Sequence, residues 1–215
     1  MSSSPKIERI AIAGAPNSAQ AEPAPTALVA RVVEAIRAGR RVALPTETVY
    51  GMAADPTDEA AVRRLRTEKE RPQNHQFTVH LASAERLDAL GVDVPANAQR
   101  LIQRYWPGPL TLVLPTRNGK TLGVRVPAND FTRAVIAAFP GGLFLTSINR
   151  TGEPPLQTPE EIAASGHVDL LVDAGPPRLG QSSCVVRLGT DGLRVLREGV
   201  LTEAELLRSA AAEIL

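Results

Sequence analysis

Apolar residues recur along the chain in two spacings, which predict helices that alternate with short strands. Residues 26–38 show apolar side chains on one face at the helical spacing, and Thr26 can cap the start of that helix. The run Val42–Leu44 is short and wholly apolar, which is typical of a buried strand. Similar patterns predict helices over 58–66, 83–90, 96–105, 131–139 and 159–165 and after Thr202. Further strands are predicted over 7–13, 77–81, 110–114, 123–126, 143–146, 169–172, 184–188 and 193–197.

The order of these elements predicts an α/β fold. Strands and helices interleave, but the last strands follow one another directly, which favours a twisted, mixed, open sheet with flanking helices. A length of 215 residues fits one main domain. We expect residues 1–26 to form an N-terminal strand and a mobile loop rich in Ala and Pro, and residues 27–215 to form the main domain.

Composition narrows the class of protein. The net charge is +1, so no global basic field draws the chain to nucleic acid. A single cysteine, Cys184, excludes an internal disulfide and suits a reducing compartment. The N-terminus lacks the pattern of a signal peptide, and no apolar run reaches the ~20 residues of a membrane span. We therefore expect a cytoplasmic protein without a membrane contact.

A hydroxyl-rich segment follows the strand at 42–44. Residues 45–51 read Pro-Thr-Glu-Thr-Val-Tyr-Gly, with Thr46, Thr48 and Tyr50 on either side of Glu47. So many donors and acceptors beside a core strand are typical of a site that holds a small polar ligand. Thr, Val and Tyr also favour strands, so the segment alone fits an edge strand equally well.

Other polar residues lie beside the ends of predicted strands, where ligand sites of open α/β sheets gather. They are Arg125, Ser147, Asn149, Ser182, Ser183 and Arg197. Their joint placement favours one shared site over separate turn and surface positions. Lys69 and Arg71 follow a predicted helix, where they could bind phosphate or could complement the helix dipole.

Five motifs in sequence resemble the YrdC-like family of threonylcarbamoyl-AMP synthases, in its single-domain form. The motifs are Pro-Thr-Glu-Thr-Val-Tyr-Gly at 45–51, Lys-x-Arg-Pro at 69–72, Trp-Pro-Gly-Pro-Leu-Thr at 106–111, Gly-Val-Arg-Val-Pro at 123–127 and Ser-x-Asn at 147–149. The resemblance implies a twisted mixed sheet around a concave basic cavity, with residues 27–215 as the catalytic domain. It also implies a nucleotidyltransferase that forms threonylcarbamoyl-AMP and pyrophosphate from L-threonine, bicarbonate and ATP.

The resemblance assigns roles to nine residues. Lys69 and Arg71 are implied to be catalytic. The ATP-binding residues are implied to be Lys69, Arg71, Ser147, Asn149 and Arg197. The threonine-binding residues are implied to be Thr46, His80, Arg125 and Ser183. We expect no metal site built by protein side chains, and Mg²⁺ to be bound through the phosphates of the ATP substrate.

The resemblance also implies a partner. The product would pass to a tRNA threonylcarbamoyl-transfer complex, for the N6-threonylcarbamoyladenosine modification of tRNA, and a direct tRNA contact is possible. The chain departs from the family pattern at Gln76-Phe77, Ile148, Cys184 and Glu198, while it keeps the charged residues of the motifs.

Two alternative functions stay open at this point. Some versions of this domain transfer a carbamoyl group to other acceptors. A basic cluster over residues 63–71 could instead follow the backbone of tRNA or double-stranded RNA, although aromatic residues for stacking on single strands make up only 3% of the chain. A zinc site at His75 and His80 lacks a third ligand nearby, and residues 119–121 fit a hairpin turn better than a phosphate-binding loop.

Overall fold

The structure is a computed structural model that describes residues 7–12, 25–73, 76–150, 152–189 and 192–211. The strands are β1 Glu8–Ala11, β2 Val42–Leu44, β3 Gly51–Ala54, β4 Val79–His80, β5 Leu110–Pro115, β6 Thr121–Arg125, β7 Leu143–Ser147, β8 Leu170–Asp173, β9 Cys184–Gly189 and β10 Gly192–Arg197. The helices are α1 Thr26–Arg37, α2 Glu59–Glu68, α3 Ala96–Tyr105, α4 Asp130–Ala137, α5 Pro159–Ala164 and α6 Glu203–Ala211, and a 3-10 helix covers Ala84–Leu90.

Within these residues, the strands form one mixed sheet in the order β1-β8-β2-β3-β7-β4-β6-β5-β9-β10. The pairs β1–β8, β2–β8, β4–β6 and β5–β9 are parallel, and the other neighbours are antiparallel. The predicted mixed α/β fold is confirmed. Because β1 pairs with β8, residues 8–11 belong to the same sheet as the rest of the chain. Most of the predicted mobile loop, residues 13–24, lies outside the described residues, and the domain division at residue 26 stays a prediction.

Helices cover both faces of one half of the sheet but only one face of the other. Alternate residues of β2 point to opposite sides: Val42 and Leu44 pack against α1 and α4, whereas Ala43 packs against α2 and α5. In the other half, β5, β6 and β9 bury one face against α3 and α6. The opposite face of these strands meets no described helix, and its residues, Thr111, Val113, Gly123, Arg125 and Val185, line a cavity.

The local sequence explains where most helices begin. The Asp58 side chain accepts hydrogen bonds from the N–H groups of Ala60 and Ala61, so the predicted cap of α2 is confirmed. Thr202 and Glu205 form the predicted reciprocal cap at α6, with Glu205 N donating to Thr202 Oγ1 at 3.3 Å and Thr202 N donating to Glu205 Oε2 at 2.9 Å. The predicted cap of α1 is wrong: Pro25 occupies the cap position, and Thr26 is the first helical residue.

Two predictions of element type were incomplete. No strand was predicted at Gly51–Ala54, yet β3 lies in the centre of the sheet. Its residues have weak strand preference, and burial between β2 and β7 outweighs that preference. The helix predicted over 83–90 is a 3-10 helix that ends at Gly91, whose φ of 64° suits glycine. The turn predicted around Gly119 is confirmed, because residues 116–120 connect β5 and β6 as a hairpin.

Candidate active site

A cavity of about 330 Å³ lies against the sheet face that α3 and α6 leave bare. Strands β4, β5, β6, β7 and β9 form its floor, and the connection between β2 and β3 forms one wall. Seven of the nine residues predicted from the sequence line it: Thr46, Arg71, His80, Arg125, Ser147, Ser183 and Arg197. Its lining contains three arginines and no Asp or Glu among the described residues, which favours an anionic ligand.

The hydroxyl-rich segment is a compact turn, so the edge-strand interpretation is wrong. The Thr46 hydroxyl donates to Val49 O at 2.6 Å and accepts from the N–H groups of Thr48 and Val49, both at 3.2 Å. The two threonine hydroxyls lie 2.8 Å apart, and Thr48 is the donor because the Thr46 proton is donated to Val49 O. Such side chain to backbone bonds hold the chain in a turn and keep it from joining a strand. Thr46 therefore faces the cavity from a rigid position.

Arg125 is held in place on two sides. Its Nη2 donates to Glu47 Oε1 at 2.7 Å and to Thr48 Oγ1 at 2.8 Å, and its Nε donates to Gly108 O at 3.1 Å. Glu47 lines no part of the cavity, yet it forms a buried ion pair with a residue that does. Sequence reasoning missed this role of Glu47, although the carboxylate among the hydroxyls was a visible signal.

The Trp-Pro-Gly-Pro motif at 106–109 provides the carbonyl oxygen of Gly108, which binds Arg125 Nε. Gly108 N donates to Val126 O at 2.8 Å, which fixes the carbonyl that Arg125 binds. A Cβ atom at Gly108 would lie 2.2 Å from the carbonyl oxygen of Tyr105, so only glycine fits there. The peptide bond between Trp106 and Pro107 is cis.

His80 is neutral in this setting. Burial is the main cause that lowers its pKa to about 3, the positive charge of Arg125 lowers it further, and the Thr78 carbonyl opposes the shift. Its Nδ1 lies 3.3 Å from Thr78 O, so we assign the ring proton to Nδ1. This leaves Nε2 as an acceptor, which suits the ammonium or hydroxyl group of a ligand.

Ser183 and Arg197 are in direct contact in the lining of the cavity. Arg197 Nη2 donates to Ser183 O at 2.8 Å and lies 3.2 Å from Ser183 Oγ. Ser183 Oγ also lies 2.9 Å from Thr111 Oγ1, a residue that sequence reasoning missed. The pKa of Arg197 is lowered by burial and by the charges of Arg125 and Arg71, which places three cations around one cavity.

Lys69 and Asn149 lie behind the cavity wall. Lys69 is 3% exposed, and its Nζ donates to Ser147 O at 3.0 Å, to Asn149 O at 2.9 Å and to Asn149 Oδ1 at 2.6 Å. Burial and the neighbouring Arg71 lower the pKa of Lys69 to about 8, and Glu68 opposes the shift. The structure thus brings the predicted Lys69, Ser147 and Asn149 together, but the ammonium group is turned toward the backbone of Ser147–Asn149.

A family model agrees with this arrangement. The model of the Sua5/YciO/YrdC domain, described as telomere recombination, matches residues 34–199. The chain belongs to the Sua5/YciO/YrdC family. The resemblance found in the sequence motifs is therefore confirmed.

Curated members of the Sua5/YciO/YrdC family share much of the sequence. The threonylcarbamoyl-AMP synthase of Pyrococcus abyssi is 36% identical over 182 residues, which are 80% of this chain and 54% of that protein. The threonylcarbamoyl-AMP synthase of Bacillus subtilis is 31% identical over 190 residues, which are 83% of this chain and 55% of that protein. The chain therefore spans about half the length of these two relatives.

Solved structures of the Sua5/YciO/YrdC family share the fold. Pyrococcus abyssi Sua5 in complex with L-threonine is 32% identical, with a TM-score of 0.80, and the match covers 97% of this chain and 61% of that one. E. coli YciO is 25% identical, with a TM-score of 0.75, and the match covers 93% of this chain and 98% of that one.

The departures from the family pattern differ in their distance from the cavity. Gln76 and Phe77 line the cavity. The centroid of the Phe77 ring lies 5.6 Å from that of the Phe144 ring. Ile148 is buried in the core on the side of α2 and α5, and Cys184 donates from Sγ to Arg197 O at 3.3 Å. Of the residues that depart from the family pattern, Gln76 and Phe77 line the cavity, whereas Ile148, Cys184 and Glu198 do not. His75 lies outside the described residues.

Among the described residues, no group of three His, Cys, Asp or Glu side chains could hold a metal ion. In that same part of the chain, no helix is both long and apolar enough to cross a bilayer.

Proposed function

We propose that the protein joins L-threonine, bicarbonate and ATP into threonylcarbamoyl-AMP and pyrophosphate. One observation carries the proposal: a single cavity is lined both by residues suited to an amino acid and by cations suited to a nucleotide. Relatives named threonylcarbamoyl-AMP synthase and a Sua5 structure with L-threonine support it.

The amino-acid side would comprise Thr46, His80, Arg125 and Ser183. Arginine suits the carboxylate of the substrate, and the neutral ring of His80 accepts a hydrogen bond from its ammonium or hydroxyl group. The nucleotide side would comprise Lys69, Arg71, Ser147, Asn149 and Arg197. In this assignment Arg71 and Arg197 meet phosphate oxygens, since both arginines line the cavity.

The chemistry needs positioning and positive charge more than a nucleophilic side chain. The threonine nitrogen forms a bond to the carbon of bicarbonate, and water leaves. An oxygen of the resulting carbamate attacks the α-phosphorus of ATP, the bond to the bridging oxygen breaks, and pyrophosphate leaves with its electron pair. Both reactants, the carbamate and ATP, are anions, so the arginines of the cavity lower the repulsion between them. The residues of the cavity also align the attacking carbamate oxygen with the α-phosphorus.

Lys69 is the proposed catalytic cation together with Arg71. Its ammonium group donates to the main-chain oxygen of Ser147, which lines the cavity, so its positive charge lies beside the proposed phosphate site. Asn149 would act through Lys69 by holding it at the wall of the cavity.

Mg²⁺ would arrive bound to ATP. The lining of the cavity offers cations, hydroxyls and an imidazole but no described carboxylate, and Mg²⁺ prefers oxygen ligands with negative charge. The phosphates of ATP, with water, would therefore supply its ligands, and the ion would neutralise phosphate charge during the transfer.

The contacts of α2 count against an RNA-binding function of the basic cluster. Arg63 pairs with Glu59 at 3.1 Å, Arg64 binds Gly39 O, and Arg66 donates to Pro72 O at 3.0 Å. Arg63 is paired within its own helix, Arg64 binds the turn after α1, and Arg66 binds the loop after α2. Delivery of the product to a tRNA threonylcarbamoyl-transfer complex, and a direct tRNA contact, remain predictions.

An assay of pyrophosphate release across amino acids tests the proposal. We expect release only with ATP, bicarbonate and an amino acid together, with L-threonine preferred over L-serine and L-valine. No turnover with any amino acid would refute the synthase function. Turnover of a carbamoyl donor with another acceptor would favour the carbamoyl-transfer alternative, and tRNA binding with steep salt dependence but no ATP turnover would favour the RNA-binding one.

A further inference from the structure

We infer that Glu47 is a positioning residue that orients Arg125 for the carboxylate of the amino-acid substrate. The inference deepens the proposed function and rests on it. In the ion pair, Glu47 holds one side of the guanidinium group and leaves one nitrogen, Nη1, for the ligand.

The contacts of Arg125 leave a single nitrogen for a ligand. Nε is taken by Gly108 O, and Nη2 is shared between Glu47 and Thr48. No described residue accepts a hydrogen bond from Nη1. Arg125 is only 4% exposed, yet it lines the cavity, so its small accessible part faces the cavity.

Glu47 is fixed by three contacts from two segments of the chain, residues 125–128 and Leu179. Its Oε1 meets Arg125 at 2.7 Å, and its Oε2 accepts from Ala128 N at 2.9 Å. Its main-chain oxygen accepts from Leu179 N at 2.8 Å. A carboxylate held this firmly gives the guanidinium one orientation, and a supporting residue of this kind is what a preorganised binding site needs.

The pair also makes the charge environment of Arg125 different from that of Arg197. Glu47 offsets the charge of Arg125, whereas no described carboxylate forms an ion pair with Arg197. Nε and Nη2 of Arg125 are engaged, so the side chain cannot offer the two-pronged fork that favours phosphate. Arg125 therefore suits one oxygen of a carboxylate, and it offers the phosphates of ATP no bidentate contact.

Binding of L-threonine and of L-threoninol by calorimetry tests the inference. L-threoninol carries a hydroxymethyl group in place of the carboxylate and keeps the rest of the molecule. We expect the wild type to prefer L-threonine by at least about tenfold, since a charge-assisted bond is lost with threoninol. Glu47→Gln should lose most of this preference, because the amide cannot accept from both Arg125 and Ala128, while ATP affinity changes less than about threefold.

Two further variants keep the test decisive if Glu47→Gln folds poorly, as loss of one partner of a buried pair is strongly destabilising. Thr48→Val keeps the ion pair and removes the second acceptor of Nη2, so it should lose part of the preference. Glu47→Asp keeps the charge and should recover part of what Glu47→Gln loses.

The outcomes separate the inference from the proposed function. A wild type that binds no L-threonine refutes the proposed function, and the inference with it. A wild type that prefers L-threonine, with variants that keep the full preference, overturns the inference alone. Equal losses of ATP and threonine affinity in the variants also overturn it, since they indicate a purely structural role.

Discussion

Lys69 and Asn149, 80 residues apart in the chain, are joined by two hydrogen bonds. Lys69 Nζ lies 2.6 Å from Asn149 Oδ1 and 2.9 Å from Asn149 O. Ser147 Oγ donates to the same Oδ1 at 2.7 Å, and the Asn149 amide nitrogen donates to Glu153 O at 2.6 Å. The Ser-x-Asn element is therefore the support that holds the buried lysine at the wall of the cavity.

Replacement of this lysine should abolish the reaction. We expect Lys69→Ala to lower pyrophosphate release by at least about 100-fold, because a cation that stabilises a transferring phosphoryl group is removed. Release of pyrophosphate at saturating ATP, threonine and bicarbonate measures it. Lys120→Ala is the matched control, since Lys120 is exposed in the β5–β6 hairpin. Activity of Lys69→Ala within tenfold of the wild type would contradict the catalytic assignment.

The reaction should weaken in alkaline solution. The pKa of Lys69 lies at about 8, below its ordinary value, so the ammonium is charged below that pH and becomes neutral above it. We expect kcat/KM for ATP to fall about tenfold per pH unit above about 8, because this ratio reports groups of the free enzyme. Lys69→Arg keeps its charge and should flatten the profile in whatever activity remains. A wild-type profile that stays level to about pH 9.5 would exclude Lys69 as the titrating group.

Buried His80 should make the protein sensitive to acid. Its folded-state pKa of about 3 lies below the value of the unfolded chain, so the unfolded state binds the extra proton as pH falls below about 6.5. Stability from the neutral ring is thus present above about 6.5 and is lost progressively as pH falls toward about 3. Between about pH 7 and about pH 5 the free energy of unfolding should drop by about 2 kcal/mol from this group.

Urea unfolding of the wild type and of His80→Gln at both pH values measures this effect. The variant should lose about 2 kcal/mol less than the wild type over the same interval. Equal losses in the two proteins would show that His80 is not the group responsible.

Gly199 should tolerate no side chain. A Cβ atom there would lie 2.4 Å from Cys184 N and 2.6 Å from Ser182 O, which are backbone atoms of the segment that carries Ser183. We expect Gly199→Ala to lower the free energy of unfolding by about 1–3 kcal/mol through overpacking and to weaken binding at Ser183. Gly141→Ala is the control, since no described atom lies within 4 Å of its added Cβ. Equal unfolding midpoints of the two variants would contradict the predicted clash.

The local pattern of the sequence was sufficient to predict most helices and strands, but it did not predict β3 in the centre of the sheet. Capping residues such as Asp58 and Thr202 act within one turn of their own helix, so their effect is visible in a short window of sequence. Strand β3 has no such local signal, because its strand conformation comes from its neighbours β2 and β7.

The candidate site shows the same division. The sequence by itself determined which residues to examine, since seven of the nine residues assigned from the motifs and strand ends line one cavity. Only the tertiary structure decided the contacts in and around the cavity: it pairs Glu47 with Arg125 across 78 residues, turns Lys69 onto Asn149, and buries His80 in its neutral form. Such contacts depend on which strands become neighbours and on how much water they exclude, and no short stretch of the chain contains that information.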